Sequence, residues 1–230
     1  GVDPLHAFDV EAVAAGLLAS MPRNTSDATA QDAGPTWKPT RERSPAVLEI
    51  DALVHRYPNG VEAVRGVSLS VPAGQSVAIL GQNGSGKTTL VKHLNGLLRP
   101  FSGEVRIDGR ATALDRVDQL AATVGFVFQN PDDQLFERSV EREVAFGPRN
   151  LGFAGADVTD LVESSLKAVG LVGERTTNPY DLDLSRRKLV ALASVLAMDP
   201  AILVLDEPTT GLHLEGIPRG GAASAARRAA

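Results

Sequence analysis

An α/β fold is predicted by three features of the sequence. Apolar residues switch from strand-like alternation to a helical repeat across the glycine-rich turn Gly81–Gly86. Two stretches, Val47–Val54 and Val64–Val71, alternate as half-exposed strands on either side of the turn Tyr57-Pro58-Asn59-Gly60. The run Ile202–Leu205 is continuously apolar, as a strand covered on both faces must be.

The remaining elements follow in order. The alternating pair implies an antiparallel β layer. Ser76–Leu80 reads as a short apolar strand leading into the glycines, and Lys87–Leu98 as the helix leaving them. Gly103–Ile107 and Val124–Phe128 read as strands, Val158–Val169 as an amphipathic helix and Arg186–Met198 as a more buried one. No internal repeat is found. Residues 1–45 differ in texture: Phe8–Met21 is compatible with a short apolar helix, whereas Pro22–Pro45 is polar, Pro-bearing and aperiodic, as linkers are. They are expected to form a disordered extension. Because the chain starts at Gly1 and Met21 opens a plausible N-terminus, residues 1–20 read as upstream sequence. Residues 46–230 are expected to form the main domain.

Composition narrows the function classes. The 230 residues are 43% hydrophobic and only 4% aromatic, with 22 Gly and 14 Pro, so the core must rest on aliphatic residues between many turns. A net charge of −5 argues against a general nucleic-acid binder, which needs a basic face. With no cysteine there is neither a disulfide framework nor a thiolate metal site. Apolar runs such as Val190–Met198 are far shorter than the roughly 20 residues of a membrane-spanning helix. Any membrane connection is therefore expected through a partner.

Gly81-Gln82-Asn83-Gly84-Ser85-Gly86-Lys87-Thr88 fits G-x-x-x-x-G-K-[ST] in full, between an expected strand and an expected helix. In such a loop successive backbone N–H groups converge on phosphate, the lysine reaches the outer phosphates and the Thr88 hydroxyl ligates Mg²⁺. Thr89, next in line, completes the expected nucleotide-binding set. The second half of such a site is an acid at the end of an apolar strand, and Asp206 and Glu207 follow Ile202–Leu205 directly. Asp206 is placed to hold magnesium, and Glu207 to accept a proton from, or polarise, an attacking water. ATP with Mg²⁺ is the expected ligand, and Lys87 and Glu207 are candidate catalytic residues.

From Ala46 to Leu212 the chain resembles the nucleotide-binding domains of ABC transporters, and within them the ATPase subunits of energy-coupling factor importers. The resemblance implies a P-loop NTPase: a RecA-like parallel sheet with an antiparallel β layer and a helical insertion at about 131–185. It implies that Tyr57 stacks on adenine, although a Tyr before Pro equally suits turn packing. It makes Gln129, after Val124–Phe128, the glutamine that contacts magnesium or water and senses the membrane partner. Asn130-Pro131-Asp132-Asp133-Gln134-Leu135-Phe136 and Val144-Ala145-Phe146-Gly147-Pro148 resemble the vitamin and metal branch. Asp206-Glu207-Pro208-Thr209-Thr210-Gly211-Leu212 closes the likeness.

Three departures qualify it. The family signature LSGGQ, which packs against the γ-phosphate held by an opposite subunit, aligns without gaps on Leu182-Asp183-Leu184-Ser185-Arg186. Asp183 then stands for the serine and Leu184 with Ser185 for the glycines; a slipped alignment keeps the Leu184-Ser185 pair at the cost of a short deletion. A carboxylate there opposes phosphate, with Arg186, Arg187 and Lys188 either offsetting it or pairing elsewhere. The D-loop aspartate is replaced by His213, and the chain reaches Ala230 before any switch histidine, through the low-complexity Gly220–Ala230. This pattern reads as a chain truncated after the D-loop, with an unpaired apolar edge beside the P-loop strand.

The resemblance implies an ATPase subunit at the cytoplasmic face of the membrane, paired with a second ABC ATPase domain as homo- or heterodimer and docked on a transmembrane coupling subunit of a vitamin or metal-ion importer. No nucleic-acid partner is expected. Two alternatives remain: a non-catalytic nucleotide-binding or inactive ABC protein, and a soluble ABC ATPase unconnected with transport.

Overall fold

The computed structural model describes residues 48–207. The expected extension at 1–45 and everything from Pro208 onward, including His213 and Gly220–Ala230, lie outside the described residues.

Two layers of sheet carry the site. Strands β1 (Leu48–Arg56), β2 (Glu62–Val71), β3 (Ser102–Ile107) and β4 (Arg110–Ala111) form an antiparallel sheet in the order β2-β1-β3-β4. Strands β5 (Val124–Val127) and β6 (Ile202–Leu205) form a parallel pair. Leu48, Ile50, Val64 and Val105 from the first sheet share one apolar cluster with Phe126 and Val204 from the second. The alternation read in β1 changes phase part-way: Leu48 and Ile50 are buried, then Leu53 and His55. A bulge causes the change. Pairing with β2 slips between Ile50 and Leu53, and Ala52 takes a left-handed backbone (φ 43°). The bulge moves His55 inward, where the earlier phase would have placed Val54.

Two expectations are corrected. Ser76–Leu80 forms no strand, and Val77, Ile79 and Leu80 are exposed. A strand exists only by pairing, and among the described residues no neighbour pairs with this segment. The helix expected at Lys87–Leu98 is regular only as α1, Lys87–Val91. Beyond it the His93 amide bonds Leu90 instead of the Thr89 carbonyl, which the His93 imidazole takes at 2.7 Å. Gly96, with φ 73°, ends the turns that follow.

Helix α2 (Val117–Ala121) leads into β5. Helices α3 (Val140–Asn150), α4 (Gly155–Ala168) and α5 (Leu184–Leu196) build a second core around Val144, Val162, Leu166 and Val190. Helices α3 and α4 fall within residues 131–185, where the insertion is expected, and α5 lies mostly beyond it. Each helix has an apolar face at helical spacing, as in Val158, Leu161, Val162 and Leu166 of α4. Arg175 ties α3 to α4 by pairing with both Glu141 and Glu163. Helix α5 also reaches the parallel pair, where Gly125 sits against Val195 and Pro200.

A Cβ on Gly125 would lie 2.4 Å from Val195 Cγ1 and 2.8 Å from Pro200 Cγ, atoms of branched or ring side chains with little freedom to yield. Gly125→Ala should cost about 1–3 kcal/mol, read as a lower urea midpoint at unchanged slope. Glu143, buried in α3, accepts the amide protons of Phe136 and Glu137 at 2.9 and 2.7 Å. Burial pushes its carboxyl above the ordinary 4.5, while those two bonds pull it back in part. A carboxyl raised on folding binds its proton more tightly in the folded chain, so stability falls as pH climbs from 4.5 through the raised value. Glu143→Gln keeps an acceptor without a charge. Its stability relative to wild type should therefore rise between pH 4.5 and 7 in urea titrations; a flat difference would contradict this reading.

Candidate functional site

The register of the parallel pair assembles the site. Val127 lies opposite Leu205, and the ladder runs on through the Asp206 amide to the Val127 carbonyl at 3.1 Å. The next residues of both strands emerge side by side. Gln129 Nε2 donates to Glu207 Oε2 at 2.6 Å, although the two are 78 positions apart. Glu207 itself has a left-handed backbone (φ 48°), a strained state for a non-glycine residue.

The glycine loop reaches the same point from the other side. Ser85 N–H donates to the Gln82 carbonyl at 3.1 Å, closing the loop. Gly86 has φ 91°, and a Cβ there would lie 2.2 Å from the Ala63 carbonyl oxygen. Only glycine fits. Leu90 N–H makes the first intrahelical bond, to Gly86, so the amides of Lys87, Thr88 and Thr89 in the first turn have no intrahelical acceptor. The Lys87 ammonium folds over the loop onto the carbonyls of Gly81 and Gln82 at 2.9 and 3.0 Å. Thr88 Oγ1 donates to Asp206 Oδ1 at 3.1 Å, joining the loop to the acidic strand end. Asp206 is buried.

These oxygens suit magnesium. Thr88 supplies a hydroxyl, Asp206 a carboxylate and Gln129 an amide, all hard donors. Two adjacent ligands on an octahedral Mg²⁺ stand roughly 3 Å apart, close to the 3.1 Å between Thr88 Oγ1 and Asp206 Oδ1. Among the described residues no cluster of three His, Cys, Asp or Glu gathers elsewhere to hold a metal.

Tyr57 opens the turn between β1 and β2, its carbonyl accepting the Gly60 amide at 2.9 Å, and its side chain reaches α1. Its hydroxyl shares a hydrogen bond with Thr89 Oγ1 at 2.9 Å, and its ring meets His55 edge-on at 4.6 Å. Leu182 is buried, and Asp183 is the N-cap of α5, accepting the Arg186 amide at 2.9 Å. Leu184, Ser185 and Arg186 form the first turn. The three cations separate: Arg186 pairs with Glu174 at 2.7 Å, Arg187 pairs with Asp132 at 2.7 Å, and Lys188 feels Glu207. Burial lowers the Lys188 pKa, and the Glu207 charge raises it in part.

Sequence reasoning missed how the segment after Gln129 is fastened. Asn130 caps a single turn at Pro131–Asp133. Gln134 accepts the Phe128 amide at 3.2 Å and donates to the Ala191 carbonyl at 3.0 Å and Ser194 Oγ at 3.2 Å. A Gln among residues bound for a helical core was the available signal, but two of its three partners, Ala191 and Ser194, are distant in sequence.

The profile of the family described as "ABC transporter" matches residues 64–210, which hold both halves of this site. The chain belongs to the ABC transporter family. It is 47% identical over 171 residues to the energy-coupling factor transporter ATP-binding protein EcfA of Methanothermobacter thermautotrophicus, covering 74% of this chain and 55% of that one. It is 49% identical over 175 residues to a putative ABC transporter ATP-binding protein of Methanosarcina mazei, covering 76% of this chain and 35% of that protein. Among solved structures it resembles cbiO1 of Clostridium perfringens, described as part of the ABC transporter complex cbiONQ, with TM-score 0.67 and 36% identity over 74% of this chain and 68% of that one. The chain thus spans 35–62% of the length of the first three curated relatives. The P-loop ATPase fold expected from the sequence is the one observed, with its antiparallel layer and helical region. Among the described residues no helix is long and apolar enough to cross a membrane.

Because Asp183 spends its carboxylate on the cap of α5, Asp183→Ala should destabilise the chain by about 0.5–2 kcal/mol in urea unfolding, whereas Asp183→Ser should retain most of the cap.

Proposed function

We propose that this chain binds MgATP at the Gly81–Thr88 loop and hydrolyses it as the energising subunit of an ABC importer of the energy-coupling factor type, for a vitamin or a metal ion. The observation that carries the reading is the pair of contacts Thr88–Asp206 and Gln129–Glu207, which bring the loop, the acidic strand end and Gln129 to one point. The names of the relatives, an energy-coupling factor transporter ATP-binding protein and cbiO1 of the ABC transporter complex cbiONQ, support the transport class.

In this reading the free amides of Lys87, Thr88 and Thr89 take phosphate oxygens, and Lys87 leaves the Gly81 and Gln82 carbonyls for the outer phosphates. Exchanging carbonyl partners for phosphate is favourable because both bonding partners are then charged. Thr88, Asp206 and Gln129 would hold Mg²⁺, which would supply charge neutralisation at the phosphates. Glu207 takes the proton of the attacking water, and the Gln129 amide keeps that carboxylate aimed. Tyr57 offers its ring to the adenine.

Closure requires a second ATPase domain in a head-to-tail pair, and force reaches a transmembrane coupling subunit from the cytoplasmic face, where the chain is peripheral. The Leu182–Arg186 segment then forms a weak or non-catalytic half of one composite site, because Asp183 sets a carboxylate where phosphate is presented. That observation also favours the second reading, a nucleotide-binding ABC protein without turnover.

Calorimetry and phosphate release separate the two. Lys87→Ala should abolish MgATP binding, and Glu207→Gln should leave binding intact while removing phosphate release. Binding that is indifferent to Lys87 would sink the nucleotide site; binding without any phosphate release in the wild type would select the second reading.

A further inference from the structure

Two buried histidines beneath the glycine loop are unused by the reading above. His93 is 1% exposed and His55 7%. Their bonding is fixed by what surrounds them. The Thr89 carbonyl, 2.7 Å from His93 Nδ1, can only accept, so Nδ1 carries the proton and His93 Nε2 is an acceptor. His55 Nδ1 lies 3.1 Å from that Nε2 and 3.2 Å from the Arg99 carbonyl, two acceptors, so it too is protonated and donates to both. The rings cross nearly perpendicular at 4.8 Å, and the His55 ring meets Tyr57 in the same way at 4.6 Å. Tyr57 closes the circuit through its hydroxyl on Thr89 Oγ1.

We infer that His55 and His93 are positioning residues that lock Tyr57 and Thr89 into one unit, so that the base end and the phosphate end of the nucleotide site are energetically coupled. Thr89 is the joint: its side chain holds Tyr57, its carbonyl holds His93, and its amide is one of the free donors of the loop. The arrangement is poorly explained by packing alone. His55 Nε2 is buried with no hydrogen-bond partner among the described residues, an arrangement that costs stability and that an apolar pair would avoid. The strand bulge at Ala52 is what turns His55 inward, and His93 replaces its own backbone amide on the Thr89 carbonyl, ending α1 early. Two departures from regular structure thus serve the same four-residue circuit. Burial also lowers the His93 pKa, in keeping with a neutral ring.

The inference rests on the MgATP reading, and the test distinguishes the two. Dissociation constants for MgATP, and for magnesium tripolyphosphate displacing a fluorescent nucleotide, are measured on the full chain with Tyr57→Phe, His93→Asn and the double variant. Tyr57→Phe keeps the ring and loses only the hydroxyl. Each single change should weaken MgATP binding roughly three- to tenfold, the worth of one lost hydrogen bond, and the double variant should be no weaker than the poorer single. Tyr57→Phe should also weaken tripolyphosphate, which has no base to stack. Should His93→Asn fail to fold by circular dichroism, the Tyr57→Phe and Thr89→Val cycle decides in its place. Additive losses, or no loss in Tyr57→Phe while the wild type binds MgATP, overturn the coupling alone. A wild-type chain that shows no Lys87-dependent MgATP binding overturns both readings.

Discussion

The parallel register of β5 and β6 is the constraint on which the site depends. With Val127 opposite Leu205, the residues that follow each strand leave the sheet together, and Gln129 meets Glu207 without further help. A slip of one residue would reverse every side chain of one strand relative to the apolar clusters on both sides. Phe126 or Val204, whichever strand slipped, would then leave the core they share with the antiparallel sheet. Packing therefore fixes the register, and the register fixes the chemistry. Gly125 belongs to the same constraint, since its missing side chain lets α5 approach β5 closely enough to complete the contact.

Helix α5 is the second organiser. Its N-terminus is capped by Asp183, its first turn sends Arg187 to Asp132, and its middle receives the Gln134 amide through Ala191 and Ser194. These bonds fasten the segment after Gln129 to the helical region, while Gln134 also accepts the Phe128 amide just past β5. Gln129 thus sits at the seam, with the Glu207 bond on one side and the fastened segment on the other. The helical region is joined through this segment to Gln129 and its bond to Glu207. The Arg187–Asp132 pair is partly exposed and contributes little energy by itself; its effect is to fix direction.

Electrostatics at the site are arranged around charges that wait for partners. Lys87 rests on neutral carbonyls, which hold an ammonium less strongly than phosphate does. Asp206 is buried against a neutral hydroxyl donor rather than a basic residue, an arrangement matched to a divalent cation. Lys188 provides positive charge near Glu207 from a helix otherwise committed to packing. The carboxylate of Asp183, by contrast, is satisfied locally by the Arg186 amide and guanidinium.

The sequence by itself determined the family motifs and most of the element types. Gly81–Thr88 and Asp206-Glu207 were legible because phosphate and magnesium demand particular residues at short spacing, and the helices and strands because one-sided burial imposes a period. Tertiary structure decided what joins across long separations. The bulge that turns His55 inward, the early end of α1 at His93, the unpaired Ser76–Leu80 and the separate fates of Arg186, Arg187 and Lys188 each depend on a partner distant in the chain or on the lack of one. Local composition carries no record of such partners. Hydrogen bonds and packing select them only once the strands are in register.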